Sequence, residues 1–355
     1  MTDYQSPPYT SPLRLRLSKD ALQSNWRWLN TQSGAAACGA AVKANAYGLG
    51  APEVVLHLQQ AGCRDFFVAT WAEAEEVLPS LSEASSLAVL HGVRETDMPS
   101  ALESKARPVL DSMEQVQRWK MAGLGRPCDV MVDTGMSRLG LTVEQATSGA
   151  LDGLAIVTLM SHLASADEDV PQNAEQLTKF QVVKAAVTAE RYSLANSAGI
   201  CLGSDYAFDL TRPGVALYGG IVREEAAGHI QQVAYPEAEI LQIRSLKAGD
   251  TVGYNATYRA DHDQKIAIVN LGYADGYLRC FSGGKGAAHF DGHALALLGR
   301  VSMDLVALAV PESCAIGEGD FVSIDYDLPQ TAAASGLSQY ELLTGLGRRY
   351  DRIWF

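Results

Sequence analysis

Eight short apolar runs, separated by polar or amphipathic stretches, occupy the chain between residues 38 and 220. They fall at 38–42, 66–69, 87–90, 108–110, 130–132, 155–159, 192–194 and 208–210. Runs this short suit buried strands, and helix-length segments between most of them point to a parallel sheet. Helix signals accompany them: Ser18 can cap a first helix, Pro52 suits a first turn, and 172–189 has helical periodicity. Eight parallel strands close most simply into a (β/α)8 barrel. A doubly wound open sheet is the competing topology, but no G-x-G-x-x-G follows any of the runs.

After residue 235 the texture changes. The segment 239–245 alternates, 266–271 is continuously apolar, and 320–324 follows a Gly-Glu-Gly turn. Short strands between Gly, Asp and Pro read as a mostly antiparallel β domain, to which 14–17 can add a strand. The fold class is therefore α/β, an N-terminal barrel with a C-terminal β domain. A length of 355 residues accommodates both. The boundaries read from the sequence are 13–235 for the barrel and 236–355, with 1–12, for the β domain.

With 47% hydrophobic and 19% charged residues, the chain has enough apolar surface to fold. Lys plus Arg number 28 against 41 Asp plus Glu, a net charge of −13. So acidic a surface repels phosphate backbones and anionic lipid, which argues against nucleic-acid and membrane partners but not against small zwitterions. The six cysteines show no metal-site spacing and read as reduced thiols. No signal-like apolar run occurs within residues 1–17, and no stretch is long enough to span a bilayer, so cytoplasm is the expected location.

Lys43 directly follows the first apolar run, a position at the C-terminal, active-site end of a barrel strand. Burial there disfavours the ammonium and leaves an amine able to attack an aldehyde. A lysine snorkelling out of a strand end is the alternative. The stretch Val-Lys-Ala-Asn-Ala-Tyr-Gly at 42–48 resembles the signature of the alanine racemases, whose lysine carries pyridoxal 5′-phosphate as a Schiff base. Further blocks resemble the same family in the same order. They are Val-Asp-Thr-Gly-Met-Ser-Arg-Leu-Gly at 132–140, Ser-His-Leu-Ala at 161–164, Ala-Asn-Ser at 195–197 and Thr-Arg-Pro-Gly-Val-Ala-Leu-Tyr-Gly at 211–219. Gly-Tyr at 253–254, Gly-Tyr-Ala-Asp-Gly at 272–276 and Gly-Arg-Val-Ser-Met-Asp at 299–304 complete the series, which spans both expected domains.

The resemblance implies a racemase interconverting L- and D-alanine. Inverting an α-carbon needs a proton removed from one face and returned to the other, so two bases are the direct solution. The family implies Lys43 for one and Tyr254, from the partner subunit of a homodimer, for the other. Since phenol has a reference pKa of about 10, the site must favour the phenolate for Tyr254 to act as base. Arg212 is implied to face the pyridine nitrogen, which a permanently protonated guanidinium keeps unprotonated. Phosphate donors are implied at Tyr47, Ser197 and the backbone of Gly214 and Val215. His162 is implied to lie against the ring, Arg138 near the cofactor 3-hydroxyl and the substrate carboxylate. Met303, through its N–H and again from the partner, is implied to bind the carboxylate, and Tyr273 to narrow the entrance to alanine size. No metal is implied. Taken singly, Tyr254 can equally be a packed aromatic, His162 a packing residue and Arg212 a surface arginine before a turn proline.

The pattern departs from the family in three places. Many members carry a carbamate-modified lysine where this chain has Met131, so Arg138 lacks that negative neighbour; a chloride or ordered water beside Arg138 is the expected substitute. Arg348 stands where some relatives have a phosphate-touching tyrosine, and a surface cation is an equal reading. Ser193 replaces a histidine behind Arg212. Two other functions remain open on the residues: a racemase of broader specificity on the same scaffold, and a non-catalytic pyridoxal phosphate carrier.

Overall fold

The computed structural model describes residues 10–355. Residues 1–9 of the segment assigned to the β domain lie outside the described residues. The chain divides into two units, residues 20–231 and the remainder. Strand β1 (Leu13–Leu17) belongs to the second unit, where it pairs with the chain near residue 236. The sequence boundary at 13 had placed it with the barrel.

The first unit begins with β2 (Ala37–Cys38) and β3 (Ala40–Ala41), one barrel strand interrupted at Gly39. There follow β4 (Asp65–Val68), β5 (Ser86–Val89), β6 (Arg107–Leu110), β7 (Cys128–Met131), β8 (Ile156–Met160), β9 (Arg191–Ser193) and β10 (Leu210–Thr211). Strands β3 to β9 are neighbours in chain order, and the pairs are parallel. Closure comes through β10, which pairs with β2 and is bonded to the β9 side by Asp209 N to Tyr192 O (3.0 Å) and Arg212 N to Ala195 O (2.9 Å). All eight runs read from the sequence overlap barrel strands, the last only at Leu210, because burial on both faces favours apolar residues along most of each strand. The expected helices are present too: Lys19–Gln32 starts after Ser18, Ala51–Ala61 has its proline in the first turn, and Pro171–Ala186 covers most of 172–189.

Phe67, Ala88, Val109, Met131, Met160 and Leu210 fill the barrel as one apolar cluster. Two residues earlier on three of these strands stand Asp65, Arg107 and Asp129, joined by Arg191 of β9. Arg191 grips Asp65 through two bonds (2.7 and 3.0 Å), and Arg107 reaches Asp129 (3.2 and 3.3 Å). Asp129 is fully buried; burial pushes its carboxyl upward against the pull of Arg107. Burial also raises Asp65, but Arg191 outweighs it and holds the carboxyl below its ordinary value. These paired charges sit at the N-terminal ends of the strands, away from Lys43.

The second unit contains β11 (Ala234–Leu246), β12 (Thr251–Val252), β13 (Tyr258–Arg259), β14 (Gln264–Val269), β15 (Ala287–Phe290), β16 (His293–Leu298), β17 (Val306–Val310), β18 (Phe321–Ile324) and β19 (Asp351–Trp354). The order β14-β17-β16-β15-β18-β11 returns to β14 and closes a small antiparallel barrel. Strand β11 serves three partners, β1, β18 and β14, and a register shift between Ile240 and Gln242 interrupts its pairing with β14. Outside it lie β1 and, parallel to β1, β19.

Candidate active site

Lys43 follows β3 at the C-terminal end of the first barrel strand, as its sequence position predicts. The next four residues are unusual. Ala44, Asn45, Ala46 and Tyr47 all have left-handed φ, between 51 and 56°. A side-chain-bearing residue pays about 1–2 kcal/mol for that conformation, so the surroundings must hold it. Two devices do so. Glu73 Oε1 accepts from Ala44 N at 2.7 Å, and Asn45 Oδ1 accepts from Ala51 N at 2.8 Å. The other Glu73 oxygen accepts from Ala69 N (2.6 Å) and Thr70 N (3.2 Å), as part of the capping box of helix Trp71–Val77. One carboxylate thus ties the second barrel loop to the residue after Lys43.

The turn delivers the buried Tyr47 to the other side of the barrel mouth. A Cβ placed on Gly214 would lie 2.3 Å from the Tyr47 hydroxyl, so only glycine lets the two approach. Ser197 Oγ accepts from Gly214 N (2.8 Å) and Ala216 N (3.3 Å), ahead of the single turn Val215–Tyr218. Two hydroxyls and backbone N–H groups therefore converge where the sequence expects a phosphate. Arg212, 6% exposed, gives Nη2 to Ser161 O (2.5 Å) and Nη1 to Ser193 Oγ, which in turn donates to Leu210 O. Ser193 thus does anchor Arg212. Among the described residues Nε donates to no acceptor, which leaves it for a ring nitrogen. An amine, a phosphate cradle and a free buried donor are the complement that pyridoxal phosphate requires.

Positive charge is concentrated here. Burial lowers the Lys43 pKa, as do Arg138 and Arg212, with Glu73 opposing. Burial, Arg212, Arg138 and Lys43 push His162 down to about 3, so its imidazole is neutral at physiological pH. Burial lowers Arg212 to about 10, which still leaves it charged. Arg138 is exposed, on the loop after β7, and makes no ion pair among the described residues. Met131 lies in the barrel cluster and supplies it no charge. Sequence reasoning missed Glu73, the Ser161 carbonyl and Asp111. Asp111 follows β6, is 5% exposed, and neither of its oxygens has a hydrogen-bond partner among the described residues. Burial pushes it up to about 7.

Tyr254, Tyr273 and Met303 all belong to the β unit. Tyr254 opens a tight turn after Gly253 and is 64% exposed. Met303 is also exposed, and its carbonyl accepts from Ala274 N at 3.0 Å, beside the half-buried Tyr273. Arg348 is exposed on the surface. No helix among the described residues is long and apolar enough to cross a membrane, and no group of three or more potential ligands for a metal ion occurs among them.

Comparison with known proteins shows the family. Residues 17–222 match the family model "Alanine racemase, N-terminal domain" and 233–354 match "Alanine racemase, C-terminal domain". The chain is 41% identical to a biosynthetic alanine racemase of Agrobacterium fabrum, covering 96% of this chain and 93% of that one. It is 39% identical to a catabolic alanine racemase of the same organism, over 96% and 91%. The crystal structure of alanine racemase from Bartonella henselae with covalently bound pyridoxal phosphate superposes with a TM-score of 0.90 at 34% identity, over 98% of this chain and 100% of that one. With its barrel and its β unit each matched by its own model, the chain belongs to the alanine racemase family.

Proposed function

We propose that this chain interconverts L- and D-alanine, with pyridoxal phosphate held by Lys43. The observation that carries the reading is the convergence of the Lys43 amine, the Tyr47–Ser197–Gly214 cradle and the Arg212 Nε at one barrel mouth. When bound, the cofactor withdraws electron density from the substrate α-carbon. The chain supplies the rest. Lys43 Nζ would hold the cofactor through its aldehyde, and the same amine is placed to move a proton at one face of the substrate α-carbon. Tyr254 Oη of the partner subunit serves the opposite face. Arg212 keeps the ring nitrogen unprotonated, so the ring is a moderate electron sink. Val215 N–H joins Tyr47, Ser197 and Gly214 on the phosphate, and the neutral His162 packs on the ring without repelling the cations around it. Arg138 and the Met303 N–H bind the carboxylate, and Tyr273 limits side-chain size.

The active form is a homodimer with shared sites, in the cytoplasm, where six free thiols stay reduced. A chloride beside Arg138 offsets the charge that Met131 does not, since the exposed guanidinium has no ion pair among the described residues. Incubation with L-alanine in heavy water tests the proposal. Deuterium should enter at the α-carbon as optical rotation disappears, with serine, lysine and arginine turned over more slowly. Retained rotation and hydrogen on a cofactor-loaded sample would leave the carrier reading standing instead.

A further inference from the structure

Tyr273 and Met303 sit on two loops that press against each other. Tyr273 N donates to Ser302 O and Ala274 N to Met303 O, both at 3.0 Å. A Cβ on Gly272 would lie 2.1 Å from the Met303 carbonyl oxygen, so any larger residue would part the loops. An aspartate follows each: Asp275, fully buried, and the half-exposed Asp304. Asp275 Oδ2 closes its own loop by accepting from Gly272 N at 3.0 Å. One guanidinium then joins the two. Arg349 Nε and Nη2 donate to the Asp275 oxygens at 2.6 and 2.8 Å, and Nη1 donates to Asp304 Oδ1 at 2.7 Å. Its own backbone is fixed by Ser11 Oγ, which donates to Arg349 O at 2.6 Å.

We infer that Arg349 is a positioning residue for the reaction: by bridging Asp275 and Asp304 it sets the relative placement of Tyr273 and the Met303 N–H, an assignment that rests on the racemase reading above. A planar fork can pair one carboxylate through two nitrogens and still reach a second, which a lysine ammonium cannot reproduce. Without it, two like charges face each other, one of them out of reach of water. The loops then separate, or Asp275 takes up a proton and loosens its hold. Either way the donor to the substrate carboxylate and the aromatic wall lose their register, while Lys43 and the phosphate cradle, on the other unit, are unaffected.

The test compares wild type, Arg349→Lys, Arg349→Met and the Arg349→Met/Asp304→Asn pair, all as cofactor-loaded protein. In both single variants KM for alanine should rise more than about tenfold while kcat falls much less, the signature of lost ground-state binding. Serine should gain relative to alanine, and the cofactor absorbance should not change. Backbone amides of Tyr273 and Ala274 should exchange hydrogen about tenfold faster or more, with the barrel amides unmoved. Adding Asp304→Asn should recover part of the KM loss by removing the repulsion. Unchanged KM together with unchanged exchange at those amides in Arg349→Lys overturns the inference, and that variant decides the matter if Arg349→Met does not fold. If the wild type fails to racemise alanine, the functional reading falls instead, and the exchange rates still report whether Arg349 holds the loops.

Discussion

Burial first, then Arg138 and Arg212, hold the Lys43 pKa below its ordinary value and so favour the amine, with Glu73 alone pulling the other way. Lys43→Ala should therefore abolish cofactor absorbance and turnover together, whereas Tyr254→Phe should keep the absorbance and lose most racemisation. Full activity in Tyr254→Phe would remove the second base from the scheme. Asp111 gives a separate expectation. Its folded pKa, about 7, lies above the ordinary carboxyl value of 3.8, so the fold favours its protonated form. That contribution is complete in acid and is lost as pH rises through 7. Asp111→Asn should thus raise the melting temperature progressively from pH 5 to pH 8, by the equivalent of a few kcal/mol at most. A gain independent of pH would show that the carboxyl finds a partner. Lys43, Arg212 and Tyr254 were legible in the sequence because they sit inside motif blocks. Glu73, the Ser161 carbonyl and Arg349 act on partners 29, 51 and 74 residues away, a relation that no local pattern carries.

Among the elements, the strands were the most readable, since double burial leaves a short apolar run in most of them, even where a charged residue stands at or near the start. The left-handed turn at 44–47 was not, because Ala-Asn-Ala-Tyr contains none of the glycine that normally announces such backbone. Its stability comes from elsewhere, chiefly from Glu73, which also caps the neighbouring helix. Glu73→Gln keeps the shape but leaves one acceptor oxygen where both now accept, so at least one of the three backbone N–H groups loses its partner, a cost of about 1–3 kcal/mol. The expected result is a lower melting temperature and a faster loss of cofactor. Wild-type values for both would mean that the turn holds without it. Strand β1 shows the opposite lesson: it was legible as a strand that could join the β unit, but the boundary at 13 left it with the barrel, and its pairing with β11, more than 200 residues later, was not legible.

For the whole molecule, the first barrel, the antiparallel second unit and the family agree with the sequence reading; closure of the second sheet was not read from it, and the assembly needs its own measurement. Lys43→Ala and Tyr254→Phe should each be inactive alone. If sites are shared between subunits, mixing the two under exchanging conditions regenerates one intact site per mixed dimer, or roughly a quarter of wild-type activity overall. No recovery in verified mixed dimers would confine each site to one chain. The paired layer of Asp65, Arg107, Asp129 and Arg191 has a consequence for capture of the cofactor. Because each of these charges is paired within its own layer, the balance at the other end falls to Lys43, Arg138 and Arg212, which outnumber the carboxylate Glu73. A chain with a net charge of −13 thereby offers an incoming phosphate ester a cationic funnel. Added salt should slow its association with the aldehyde, although the overall charge by itself would make salt speed it up.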